Sequence, residues 1–163
     1  MSARKQKVDL QKTTMAEIMD KIWSQICEKH GITALTENQK HSIKGIQEGK
    51  DVFIGTKTGS GKSLSYEAAP IIFDDIAVTL IVAPLVGIMK EQVDHLSKLG
   101  YKAILIEADT AIEAVARGYY NFVFGSPEIL VGDPKWRDVI KSSNLSERLR
   151  LVVVDEAHTI VHW

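Results

Sequence analysis

The segment that most restricts the fold is Thr56-Lys57-Thr58-Gly59-Ser60-Gly61-Lys62-Ser63. It lies between a short apolar run at residues 51–55 (DVFIG) and a helical pattern that opens near Lys62. Gly59 and Gly61 let the backbone curl so that successive N–H groups point inward, which makes a cradle for phosphate oxygens. The helix that follows adds the positive end of its dipole. In such a loop the backbone of Thr58, Gly59, Ser60 and Gly61 wraps the phosphates, Lys62 reaches the β- and γ-phosphates, and the Ser63 hydroxyl ligates Mg²⁺. The strict pattern begins with glycine where this chain has Thr56, and Gly55 stands one place too early. The plainer reading is a Gly/Ser-rich turn between a strand and a helix.

A strand–turn–helix unit of this kind belongs to α/β folds, and the rest of the chain follows suit. Apolar runs at 51–55, 78–83, 103–106, 121–124 and 151–154 read as strands. They alternate with helical patterns from Lys62, over 85–99 and over 111–117. Near-continuous apolar strands alternating with helices imply a parallel sheet covered on both faces. With right-handed crossovers this becomes a three-layer α/β/α domain. Upstream, Thr14–Glu17 and Thr36–Gln39 each have the form of a capping box that opens a helix. Ile18, Ile22 and Ile26 follow the first, with Gly31 as its stop. Leu85, Ile88, Met89, Gln92, Val93 and Leu96 form a core stripe on the 85–99 helix. Residues 132–150 are the least regular stretch, with a turn at Asp133-Pro134 and a loop at 141–144. The expected organisation is a disordered tail over 1–12 and one domain over 13–163.

Composition narrows the function. The chain has 163 residues, 45% hydrophobic and 25% charged, in the range of an ordinary globular domain. One cysteine, Cys27, excludes an internal disulfide framework and a cysteine-based zinc site. No apolar run is long enough to cross a membrane. The net charge of −1 is uneven. Residues 1–62 hold 11 Lys/Arg against 7 Asp/Glu, and residues 63–163 hold 9 against 14. A globally basic nucleic-acid binder would show more, so any nucleic-acid contact must be local.

The second functional signal is Leu151-Val-Val-Val-Asp155-Glu156-Ala157-His158, an apolar strand, expected to be buried, that ends in two carboxylates. Ligands of parallel α/β sheets bind at strand C-termini. Behind a phosphate loop, Asp155 would hold Mg²⁺ and Glu156 would orient and deprotonate the attacking water. The bland alternative is the solvated start of a loop.

Together TGSGKS and VVVDEAH resemble the superfamily-two helicases, and four further segments resemble the RecQ family within them. Residues 82–94 (VAPLVGIMKEQVD) look like its motif Ia and residues 124–128 (FGSPE) like its motif Ib. Residues 35–39 (LTENQ) sit where its motif 0 stands, and residues 155–163 match the opening of its aromatic-rich loop. The resemblance covers Gly31 to the end. It implies the first RecA-like P-loop NTPase domain of an ATP-dependent DNA helicase, with a mainly parallel sheet.

The resemblance assigns Gln39 to the adenine edge, where an amide makes a bidentate pair with N6 and N7. Gln39 is equally the third residue of the capping box begun by Thr36. The family's arginine and aromatic upstream of this glutamine are Thr36 and Ile32 here, so stacking and cation–π support for the base are replaced. The resemblance places Pro84, Lys90 and Ser126 along the 3′ tail of a single-stranded DNA. Lys90 reads otherwise as a solvated lysine, and Ser126 as the cap of a helix with Pro127 at its first position. Trp163 would stack on a base, or is a packing residue. ATP and Mg²⁺ are the implied ligands and the nucleus the implied location. The chain is expected to be a truncated first domain, without the second RecA-like domain and its arginine finger. Such a finger contributes about 10³–10⁵ in rate, and the chain alone is expected to bind ATP but hardly turn it over. Two rivals are an RNA helicase domain of the DEAD/DEAH type and a non-catalytic nucleotide- or DNA-binding relic. A nucleotide kinase is a weaker third, having no reason to carry DEAH.

Overall fold

The structure, a computed structural model, describes residues 2–55 and 61–156, with side chains from Thr14 onward. The chain divides into two compact units, 1–72 and 73–163.

The first unit is helical. Helix α1 runs Ser2–His30, α2 Glu37–Gln47, α3 Leu64–Glu67 and α4 Ala69–Ile72. Helix α1 passes through the stretch expected as a tail and through Thr14, expected as a cap. No glycine or proline interrupts residues 2–30, and Ala, Arg, Lys, Gln and Leu dominate the start, so nothing in the sequence opposes helix there. Its buried stripe is Met19, Ile22 and Ile26. Ile18 is exposed, and Met19 takes the core position expected for it. These residues join Leu35, Ile43, Leu64 and Ala68 in one apolar cluster. The break between α3 and α4 at Ala68 follows from Pro70, which has no N–H to give to the preceding turn.

Residues 51–55 do not form the expected strand. A run of five becomes a strand only with a ladder partner, and among the described residues it has none. Val52 instead packs over Gly45 of α2, where an added Cβ would stand 2.7 Å from Val52 Cγ2. Phe53 is 86% exposed.

The second unit holds a four-stranded parallel sheet in the order β2-β3-β1-β4. Its strands are β1 Val78–Val82, β2 Ala103–Leu105, β3 Phe122–Gly125 and β4 Leu149–Val154. They are linked through α5 Val86–Lys98, α6 Ile112–Ala116, α7 Pro127–Leu130, α8 Pro134–Lys141 and α9 Ser143–Arg148. Alternation places Val78, Leu80 and Val82 of β1 on one face, where they share a core with Val123, Val115, Trp136, Val139 and Leu145. Helix α5 packs against β2 and β3 through buried Met89 and Leu96.

Three expectations need correction in this unit. The irregular stretch at 132–150 contains α8 and α9. Asp133 is an N-cap whose carboxylate accepts the Lys135 N–H at 2.9 Å, and Pro134 occupies the first turn, so the turn signal marks a helix start. Strand β4 is not buried throughout, since it is an edge strand whose exposed positions include Val152 and Val154. Leu85 and Ile88 are exposed rather than part of the α5 core stripe.

Trp136 shows that α8 is a core element, because its side chain is 1% exposed. Trp136→Ala is expected to destabilise the chain by about 3–5 kcal/mol, read as a lower midpoint in urea unfolding. A loss below about 1 kcal/mol would mean that α8 does not close the core.

Candidate functional site

In the first unit the site begins with the capping box. Thr36 Oγ1 accepts the Gln39 N–H at 3.2 Å, and Gln39 Oε1 accepts the Thr36 N–H at 2.9 Å. The other end of the same amide donates from Nε2 to the Gly61 carbonyl at 3.3 Å. Gln39 is therefore both a cap and a tie to the end of the glycine-rich loop. An amide oxygen has two lone pairs and an amide nitrogen two hydrogens, so each end keeps one hydrogen-bonding position for a base edge. The capping role and the adenine role are compatible in one side chain.

Gly61 has φ +74°, and a Cβ added to it would stand 2.6 Å from Gln39 Nε2. The backbone conformation strains any side chain at this position, and an added Cβ would displace the end of the Gln39 amide. Lys62 and Ser63 follow, both half-buried. Ser63 precedes the first residue of α3, and its side chain makes no capping bond. The turn is tight. Leu64 N donates to Gly61 O, Ser65 N to Lys62 O and Tyr66 N to Ser63 O. Thr58, Gly59 and Ser60 lie outside the described residues, as do His158 and Trp163.

In the second unit the parallel register does the assembly. Val82 of β1 is opposite Gly125 of β3 on one side and Val154 of β4 on the other. Pro84, Ser126 and Asp155 follow these residues directly or within two positions, so they emerge from three neighbouring strands at the same sheet edge. Adjacent strands lie about 4.8 Å apart, which puts all three within reach of one extended ligand. The Asp155 N–H continues the ladder onto Val82 O at 2.9 Å. Asp155 Oδ1 then accepts the Glu156 N–H at 2.9 Å. Glu156 has φ +54°, which among the described residues makes it the one non-glycine residue with positive φ. Such a backbone costs on the order of 1–3 kcal/mol and clusters at functional sites.

Ser126 precedes α7 with Pro127 in the first turn, as expected, but its side chain makes no cap bond and is half-buried. Lys90 is exposed, and its ammonium lies 3.5 Å from Glu107 at the end of β2. Exposed pairs of this kind are worth about 0–1 kcal/mol, so the pair does not withhold Lys90 from a phosphate. Leu85, Val86 and Ile88 form an exposed apolar run beside Pro84. Sequence reasoning missed this run because the 3.6-residue period marks Leu85 and Ile88 as core.

The donor set fits a nucleoside triphosphate with Mg²⁺. The left-handed glycine, the adjacent lysine, the uncapped serine hydroxyl and the half-occupied glutamine amide are the groups such a ligand needs in the first unit.

Comparison with known proteins agrees. The family model for the DEAD/DEAH box helicase matches residues 36–163. The ATP-dependent DNA helicase hus2/rqh1 of Schizosaccharomyces pombe is 33% identical over 150 residues, which cover 84% of this chain and 11% of that protein. The probable ATP-dependent DNA helicase RecS of Bacillus subtilis is 33% identical over 153 residues, covering 89% of this chain and 29% of that one. The chain thus spans less than a third of the length of these relatives. The crystal structure of the DUF1998 helicase MrfA, bound to DNA and AMPPNP, superposes with a TM-score of 0.67 over 82% of this chain and 20% of that one. Its sequence identity is 23%, so it speaks for the fold.

Gly61→Ala tests the loop geometry. Left-handed backbone costs a non-glycine residue roughly 1–2 kcal/mol, and the new methyl would push Gln39 away. The expected result is a drop in melting temperature and loss of the Gln39–Gly61 hydrogen bond. A stability equal to that of the unsubstituted chain would mean the turn relaxes freely.

Proposed function

The chain belongs to the DEAD/DEAH box helicase family, and on that premise we propose that it is the ATP-binding domain of a RecQ-like ATP-dependent DNA helicase. The observation that carries this is the contact between Gln39 and Gly61, which ties the expected base reader to the phosphate loop. Lys62, with the backbone of Thr58, Gly59, Ser60 and Gly61, binds the phosphates. Ser63 in the first unit and Asp155 in the second would each offer an oxygen to Mg²⁺, which would supply positive charge to offset that of the phosphates. Glu156 orients the attacking water and takes its proton. Pro84 and Ser126 at the sheet edge and Lys90 on α5 meet the backbone of a single-stranded 3′ tail, and Trp163 stacks on a base.

Related proteins named as DNA helicases support DNA as the nucleic acid. A second RecA-like domain completes the reaction by bringing an arginine to the transferring phosphoryl group. The relationship to the DNA helicase of Schizosaccharomyces pombe supports a nuclear location. Among the described residues no helix is long and apolar enough to cross a membrane.

The test is a calorimetric titration of the chain with Mg-ATP, Mg-GTP and Mg-ADP. Mg-ATP and Mg-ADP are expected to bind and Mg-GTP to bind more weakly. Lys62→Ala is expected to weaken Mg-ATP by at least about tenfold, or 1.4 kcal/mol. Equal binding by Lys62→Ala would contradict the phosphate-loop assignment, and equal binding of Mg-GTP would contradict adenine reading by Gln39.

A further inference from the structure

Among the described residues, the proposed chemistry leaves a buried polar pair unused. His30 ends α1 and Glu67 ends α3. Their side chains are 5% and 3% exposed, and His30 Nδ1 lies 3.5 Å from Glu67 Oε2. Burial of a carboxylate and an imidazole is costly, and pairing offsets the cost only in part. A methionine and a leucine would fill the same space at lower cost. The pair therefore calls for a role beyond filling the core.

Its place in the chain supplies one. Helix α3 is a single turn, because Pro70 stops it from running on into α4. The turn starts at the phosphate loop and ends at Glu67. The Glu67 N–H donates to Ser63 O at 2.9 Å, so the backbone of the expected metal ligand hangs directly on the residue that meets His30. A one-turn helix has little stiffness of its own. Helix α1, with 29 residues, is the long element in this unit, and the chain turns away from it at Gly31 immediately after His30.

We propose that the His30–Glu67 pair anchors this turn and fixes the direction of Lys62 and Ser63, making both members positioning residues for the phosphates and Mg²⁺. The inference rests on the nucleotide reading above. His30 and Glu67 touch no substrate. They act through the turn, as outer-shell partners orient the ligands of a metal.

The test is calorimetric titration of the 163-residue chain with Mg-ATP, alongside a thermal melt of each variant. His30→Phe removes the donor and is expected to weaken Mg-ATP binding about tenfold, the lower end of the loss seen when outer-shell partners are removed. His30→Asn keeps a donor at the Nδ1 position and is expected to bind within about twofold of the unsubstituted chain. Glu67→Gln preserves shape, removes the charge and is expected to show the same loss as His30→Phe, which covers the case in which the latter does not fold. A folded Glu67→Gln with unchanged affinity would overturn the proposal. So would a Glu67→Gln that cannot fold, or affinities that simply follow melting temperature across the series, since the pair would then be structural. If the unsubstituted chain binds no Mg-ATP, the nucleotide reading has failed and this inference falls with it. Normal binding by both that chain and folded Glu67→Gln sinks the inference alone.

Discussion

Strand polarity is the constraint on which the second unit depends. In a parallel sheet every strand delivers its C-terminal end to the same edge. Pro84, Ser126 and Asp155 are distant in sequence, yet the register Val82–Gly125 and Val82–Val154 brings the strand ends that carry them side by side. An antiparallel pairing of any of these strands would send one residue to the far edge. The site in this unit is a consequence of ladder direction. The loops themselves need only be short enough to leave their side chains where the strands release them.

The first unit solves a different problem, holding a glycine-rich turn in a usable shape. Here the device is a helix cap. The Thr36–Gln39 box satisfies the first orphan donors of α2 and, in doing so, fixes which end of the Gln39 amide is oxygen and which is nitrogen. With the oxygen committed to Thr36, the nitrogen faces the Gly61 carbonyl. The same orientation leaves an acceptor and a donor side by side, the pattern that complements adenine and not guanine. One side chain thus caps a helix start and keeps the hydrogen-bonding pattern that the proposed adenine contact requires.

Much of this was legible in the sequence. Strands β1 to β4 fall within about two residues of the apolar runs, because β-branched runs bounded by polar turns have few other uses. Residues 51–55 look the same on paper but form no strand, since strand formation needs a partner that composition cannot supply. Helices α8 and α9 were hidden because Asp133-Pro134 is ambiguous between a turn and a cap followed by Pro at the first helical position. The start of α1 was hidden by its polarity, since a helix without an apolar face looks like a tail. The exposure of Leu85 and Ile88 was illegible for the opposite reason, because periodicity reports which side chains share a face and not whether anything covers that face. At the candidate site the residue types were readable throughout. What the sequence could not give was the Gln39–Gly61 bond, the left-handed backbone of Glu156 and the burial of Glu67.

The central claim is that Gln39 and the turn from Gly61 to Ser63 bind one nucleotide. The most direct measurement is to map backbone amide shifts by nuclear magnetic resonance as Mg-ADP is added to the isotope-labelled chain. The account predicts saturable shifts at Gln39 and at Gly61 to Ser63, all with one dissociation constant. Shifts that do not saturate, or saturable shifts that leave Gln39 and Gly61 to Ser63 unmoved, would contradict it.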